Sequence, residues 1–355
     1  MHVLSAQNYA SPSEVAGFNQ SQAFGITTLP NSRNTMVKGA RALRLFRQSL
    51  LSFNPQLVMA TGSRASWLAA LVLSSKPIPW VVVGHGSEFG ARTGLSTHLT
   101  RWAANQADGV ICVSAYTQQA MHNLGINPER EFIIHNGADH QAFYPMPDSE
   151  IRGFRQRAGV EDGFILLTVG RVSDRKGQEV VIRALPRVLQ ENPNLTYWMA
   201  GLPENQRKLE AVAAHLGVLN AIRFWGRVDL DQLRLLYNAC DLFVMTSRQL
   251  SDGDFEGYGI AALEAALCGK PALVSDNSGL AEAVKHNTTG MIVPQNDPAA
   301  TADAILALVK SPDTLKRFGM QAQQFAQENQ TWDQVSARYR EVLQQVYLEA
   351  RTGRK

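Results

Sequence analysis

Short, densely apolar runs alternate with longer runs whose apolar positions recur every three or four residues. The short runs read as buried strands and the long ones as amphipathic helices. Residues 80–84 (WVVVG) hold three consecutive β-branched valines behind a tryptophan, the composition of a strand covered on both faces. In the first part of the chain the pattern predicts strands at 1–6, 24–29, 57–60, 80–84, 109–113 and 132–135. Between them it predicts a turn and cap at 31–34 and helices at 36–52, 63–74, 97–106 and 115–124. A turn-rich stretch, PMPDS at 145–149, reads as a linker. A second alternation follows, with strands at 165–169, 196–200, 222–225, 242–246, 272–275 and 291–293. Its helices are placed at 178–191, 205–216, 229–240, 259–268, 280–285 and 298–309, and 312–351 reads as helical throughout. Strand–helix alternation of this kind predicts α/β architecture with doubly wound parallel sheets, here in two units facing a cleft. In such sheets ligands bind beyond the carboxyl ends of the strands.

The segment 255–271, FEGYGIAALEAALCGKP, combines most of the candidate chemistry. Gly257 and Gly259 precede an apolar helical run, and Gly269 with Pro271 supplies a helix stop. Bare glycine backbone lets a ligand approach closely, and the first amides of the helix favour an anion. Glu256 stands at the mouth of this turn and Glu264 about a turn and a half into the helix. Two acids beside an anion site suit hydroxyl groups, so a sugar nucleotide fits both features. The other reading of the same residues is an amphipathic helix whose acids are solvated or cap its end.

Further polar groups follow predicted strands. His85 follows 80–84, Asn136-Gly137 follows 132–135, and Gly170-Arg171 follows 165–169, with Lys176-Gly177 five residues on. Arg171 and Lys176 suit a pyrophosphate, or are ordinary loop charges. His85 is a ligand contact or a hydrogen-bonded strand-end residue. Asp252 and Asp254 have the spacing of a metal-binding pair but lie in a polar loop away from a strand end, so no metal site is assigned. Lys38, Arg41, Arg44 and Arg47 form a stripe opposite Leu43, Phe46 and Leu50, either a solvated face or a weak contact with anionic lipid headgroups.

Composition excludes several classes. A formal net charge of +3 over 355 residues, with no long Lys/Arg block, gives no reason to invoke nucleic acid. No apolar stretch reaches the length of a membrane span, and the first residues lack the basic start and apolar core of a secretory signal. Cys112, Cys240 and Cys268 have no metal-ligand spacing and lie in apolar runs, which suits a cytoplasmic, reducing compartment. Oligomeric state is not legible.

In order along the chain, HGSE at 85–88, CVSAYT at 112–117, IHNGAD at 134–139 and VGRVSDRKG at 169–177 resemble retaining glycosyltransferases of family 4. AGLPE at 200–204, FWGRV at 224–228, LFVMTS at 242–247, the 255–271 segment and TGMIVP at 289–294 continue the match. The resemblance implies the two-domain GT-B fold, built of two Rossmann-like domains. They would be an acceptor-side domain at 1–145 and a nucleotide-sugar domain at 150–330, with the helix at 331–351 packing back on the first. It implies a UDP- or GDP-hexose type of donor, a glycan or lipid-linked acceptor, retention of configuration, and no cofactor or metal. By resemblance, Arg171 and Lys176 bind the diphosphate, Glu256 the sugar hydroxyls, Glu264 the ribose, and His85 the sugar near its reacting carbon. The donor-binding set it implies also holds Gly170, Val228, Gly257, Tyr258, Gly259 and Ile260.

The family opens with a strand, a Gly-Gly loop and a long helix. No Gly-Gly pair occurs in this sequence, so Met1 is expected at the family's second strand and the first domain is expected to be incomplete. That expectation keeps a second function in view, a non-catalytic sugar-nucleotide-binding protein of the same fold. A sugar-nucleotide epimerase or hydrolase is disfavoured by the spacing of Glu256 and Glu264.

Overall fold

A computed structural model describes residues 1–7, 11–29, 35–90 and 94–352; the turn expected at 31–34 lies outside them. The first part contains β1 (His2–Ser5), α1 (Pro12–Ser21), β2 (Gly25–Thr28), α2 (Thr35–Phe53), β3 (Val58–Thr61) and α3 (Ser63–Leu73). It continues with β4 (Trp80–Gly84), α4 (Leu95–Gln106), β5 (Gly109–Cys112), α5 (Ala115–Asn123) and β6 (Glu131–Ile133). The second part opens with α6 (Asp148–Arg157), β7 (Phe164–Val169), α7 (Gln178–Glu191), β8 (Leu195–Ala200) and α8 (Gln206–His215). Then come β9 (Ile222–Gly226), α9 (Leu230–Ala239), β10 (Leu242–Met245), α10 (Ile260–Leu267), β11 (Ala272–Ser275) and β12 (Gly290–Val293). Three helices end the chain: α11 (Pro298–Val309), α12 (Pro312–Asn329) and α13 (Trp332–Thr352).

All described strand pairs are parallel. The second part forms one six-stranded sheet in the order β12-β11-β10-β7-β8-β9. The first part forms a four-stranded sheet, β3-β4-β5-β6, and a separate β1–β2 pair. Within β4, alternate residues go to opposite faces, as the strand period requires. Trp80 and Val82 join Leu73, Ala103 and Met121 in one layer, while Val81 and Val83 join Ile111, Ile134, Val335 and Val346 in the other. The second layer is closed by α13, which therefore returns from the end of the chain to cover the first sheet. Each such buried aliphatic side chain contributes about 1.5–3 kcal/mol through loss of water contact.

Four details differ from the reading of the sequence. An unexpected α1 forms because Ser11 and Glu14 make a reciprocal capping box and Pro12 opens the helix. Another, α6, begins inside the expected linker; Asp148 and Glu150 in its first turn and Arg155 and Arg157 in its last complement the helix dipole. The expected helix at 280–285 is a 3₁₀ turn, Gly279–Ala283. The expected continuous helix at 312–351 breaks, because Thr331 accepts the Gln334 amide and donates its own amide to the Gln334 side chain. At that break Gln330 O and the Trp332 amide both pair with Ala138, which ties the turn to the first part of the chain.

Candidate active site

The carboxyl ends of β4, β7 and β10 converge on a cavity of about 560 Å³. Its wall carries His85 from the first part of the chain and Arg171, Asp174, Arg175, Glu204, Asp254, Glu256 and Gly257 from the second.

The loop after β10 is built on bare backbone. Gly259 stands at the N-cap of α10 with φ +89°, a left-handed conformation that glycine adopts freely. No side chain caps this helix end; the Ala262 amide donates to Gly259 O at 3.0 Å, and the amides of Ile260 and Ala261 have no described partner. Gly257 touches the opposite wall: a Cβ there would lie 1.7 Å from the carbonyl oxygen of His85. Its own carbonyl lies against Gly279, where a Cβ would meet it at 1.8 Å.

Glu256 is the electrostatic centre. Its Oε2 accepts from Lys176 Nζ at 2.6 Å and from an Arg175 guanidinium nitrogen at 2.6 Å. Burial pushes its pKa up, but the charges and hydrogen bonds of Lys176 and Arg175 outweigh burial and hold it below the usual carboxylate value. Arg175 also pairs with Asp254 at 3.3 Å, so this acid of the Asp252/Asp254 pair faces a guanidinium. Both cations belong to the 3₁₀ turn Asp174–Lys176. Gly177 follows in the left-handed region and packs so tightly on Thr246 that a Cβ would lie 1.8 Å from its carbonyl oxygen. Thr246 Oγ1 donates to Gly177 O at 2.8 Å, which fixes the turn to the end of β10. The stem of Lys176 lies over Gly170, whose φ is +143°.

Glu264 has the opposite environment. Its Oε2 accepts from the buried Tyr237 hydroxyl at 2.6 Å. Burial raises its pKa, and the Tyr237 hydrogen bond and the Lys176 charge offset only part of that rise.

The residues singled out from the sequence divide by position. His85, Arg171, Glu256 and Gly257 line the cavity, with Lys176 joined to Glu256, while Arg171 sits at the rim, 58% exposed and 3.4 Å from Glu204. Gly170 supports Lys176, and Ile260 opens α10. Tyr258 points away: it is buried, stacks on His135 at 4.8 Å, and its hydroxyl has no partner. Val228 packs against the core and does not line the cavity. Arg175, Asp254 and Tyr237 received no donor-site role from the sequence. Arg175 was detectable as a second basic residue beside Lys176; which basic residue turns inward is a matter of the turn's geometry.

Among the described residues no helix is long and apolar enough to cross a membrane. Residues 2–142 match the family model Glycosyltransferase Family 4, and residues 151–325 match Glycosyl transferases group 1. A GDP-mannose-dependent alpha-(1-6)-phosphatidylinositol monomannoside mannosyltransferase of Mycolicibacterium smegmatis is 32% identical over 267 residues, 73% of this chain and 68% of that protein. A glycogen synthase of Mycobacterium tuberculosis is 30% identical over 313 residues, 86% of this chain and 71% of that one. The fold matches the crystal structure of Anabaena Alr3699/HepE in complex with UDP and glucose, with TM-score 0.80 and 22% identity over 97% of this chain and 98% of that one. The paired family models, the relatives and the shared architecture together make this chain a member of the group 1, family 4 glycosyltransferases, with the GT-B fold.

Proposed function

We propose that the chain moves a hexosyl group from a nucleotide diphosphate sugar to a glycan or lipid-linked acceptor with retention of anomeric configuration and without a metal. One observation carries this reading: Lys176, Arg175 and Glu256 meet beside the uncapped N-terminus of α10, across a cavity from His85. The names of the relatives support it, one depending on GDP-mannose and one making glycogen, as does the UDP and glucose in the complex of the structural neighbour.

In this reading the diphosphate lies over Lys176, Arg171 and the amides of residues 257–260. The bond between the anomeric carbon and the phosphate oxygen breaks, and its electron pair stays on the phosphate. The acceptor oxygen bonds to the same face of that carbon and passes its proton to the departing phosphate oxygen. Charge grows on the leaving group, where fixed cations and oriented amides cost no reorganisation. Glu256 and His85 hold the sugar, and Glu264 holds the ribose. A metal is unnecessary because the cations and the helix end supply the compensating charge.

Incubation with a panel of UDP- and GDP-hexoses tests the proposal. Release of nucleotide diphosphate that resists EDTA, with an acceptor product of unchanged anomeric configuration by NMR, is expected. Binding of the nucleotide with no release across the panel would instead favour the non-catalytic reading. The stripe on α2 supports a peripheral contact with anionic membrane at a cytoplasmic face, since Arg41, Arg44 and Arg47 are exposed near exposed Leu51. Sedimentation with anionic vesicles that is lost at high salt is the expected result; equal binding to neutral vesicles would contradict it.

A further inference from the structure

A second helix end in the molecule is filled by a protein carboxylate. The first three amides of α5, which would otherwise lack partners, are all satisfied. Ser114, the N-cap, accepts the Thr117 amide at 3.0 Å. The other two amides are taken from across the cleft: Glu282 accepts from Ala115 N at 2.9 Å and from Tyr116 N at 2.8 Å. His135, in the loop after β6, holds the same carboxylate with Nε2 at 3.1 Å. Glu282 thus binds three groups of the first part of the chain from a turn that belongs to the second.

That turn is joined to the loop after β10, which in the reading above is the donor loop. Glu282 lies in the 3₁₀ turn Gly279–Ala283, whose Gly279 amide donates to the Glu256 carbonyl at 3.0 Å. Leu280 of the same turn packs on Gly259, where a Cβ would lie 2.4 Å from its side chain. Around the junction the two walls meet on glycine. A Cβ on Gly86 would lie 3.0 Å from the Gly257 Cα, and one on Gly90 would lie 2.5 Å from the Gly253 carbonyl oxygen. Bare backbone allows this closeness but provides little attraction of its own. The described polar contacts that draw the walls together are those of Glu282, with the Tyr116 hydroxyl on Gln249 at 3.3 Å and a long Thr117 hydroxyl contact to the Gly257 carbonyl at 3.5 Å. Edge-to-face packing of Tyr116 on Phe255 adds an apolar contact.

We propose that Glu282 is the latch that holds the cleft shut, a positioning residue that sets His85 against the donor loop through the Gly279–Glu256 link. The inference rests on the donor reading above only for its kinetic consequence; the closure itself is independent of which ligand fills the cavity. A carboxylate on two helix amides is a charge-assisted contact, and each such bond is worth a factor of about ten in an equilibrium.

The test uses the full-length chain carrying Glu282→Ala, Glu282→Gln or Glu282→Asp, measured by small-angle X-ray scattering with and without UDP or GDP, and by donor turnover. The Ala and Gln variants are expected to have a larger radius of gyration than the parent chain. Their kcat should fall about tenfold or more, while nucleotide affinity stays within a few-fold, because the described contacts of the Glu282 carboxylate are with Ala115, Tyr116 and His135 and not with Lys176, Arg171 or the amides of residues 257–260. The Asp variant, which keeps the charge, should recover part of both. Gln keeps the volume of the side chain, so it decides the matter if Ala fails to fold. Unchanged dimensions and unchanged kcat would overturn the latch. So would a parallel loss of melting temperature and nucleotide affinity with unchanged dimensions, which is what a purely structural role produces. If the parent chain turns over no sugar nucleotide, the donor reading fails, and the scattering comparison alone upholds or overturns the latch.

Discussion

The N-termini of α5 and α10 begin from the same physics and end in different uses. Both follow a parallel strand, both face the cleft, and both present unpaired amides with the positive end of a helix dipole. At α5, Ser114 and Glu282 take those amides, and the helix end becomes part of a junction between the two sheets. At α10, Gly259 offers no side chain, and the helix end remains open beside Lys176 and Glu256. The residue before the helix decides the difference. A serine with a visiting carboxylate closes one helix end, while glycine leaves the other without a side-chain cap. Anion affinity of a helix end is therefore common to both, and selectivity lies in what the neighbouring chain puts there.

The largest effect that would break this contrast is at α10. Lys176→Ala should lower kcat by about a hundred- to a thousandfold, the range found when one preorganised donor to a developing negative charge is lost. Donor KM should change far less, and steady-state kinetics separate the two. A loss confined to KM would make Lys176 a binding residue only. Next comes the glycine that lets the walls meet. Gly257→Ala places a Cβ 1.7 Å from the His85 carbonyl oxygen, a backbone atom that cannot turn aside. Overpacking of about 1–3 kcal/mol predicts a drop of about five- to a hundredfold in kcat, with a larger radius of gyration by scattering.

Smaller effects sharpen the difference between the two acids. Tyr237→Phe removes the only described hydrogen bond to the Glu264 carboxylate. A loss of about 1–3 kcal/mol is expected for a buried acceptor left unpaired. Calorimetry should show a lower melting temperature, and donor KM should rise more than kcat falls. The pKa shifts of Glu256 and Glu264 also run in opposite directions, down and up respectively. Because Lys176 and Arg175 depress the native value of Glu256, its stabilising contribution is complete above the ordinary carboxylate value of 4.5 and is lost as pH falls through the depressed native value. Melting temperature should therefore fall less steeply below about pH 4.5 in Glu256→Gln than in the parent chain. Equal slopes would show that the carboxylate is not held by its two cations.

Local signals in the sequence were enough for much of this. The glycines before α10, the Gly269–Pro271 stop and the strand-end positions of His85 and Arg171 are read from a few adjacent residues. Features that join distant segments were not legible. Glu282 is separated by 167 residues from Ala115 and 147 from His135, so only the folded chain brings them together. Tyr237 reaches Glu264 from the preceding helix, and nothing in the apolar period of 229–240 marks it as the residue that turns inward. The break before α13 was hidden because Gln330 and Thr331 fit the helical period; the Thr331–Gln334 cap makes the break, and the pairing with Ala138 that anchors it comes from a distant segment. Conversely, Ser11, Pro12 and Glu14 carried a complete helix-start signal for α1 that the short polar run around them obscured.

A crystal structure of the chain with UDP bears most directly on the donor site. The diphosphate should lie within hydrogen-bond distance of Lys176 Nζ and of the amides of residues 257–260, with the ribose hydroxyls on Glu264. A nucleotide bound elsewhere, with Lys176 still paired only to Glu256 and the end of α10 still empty, would contradict the assignment.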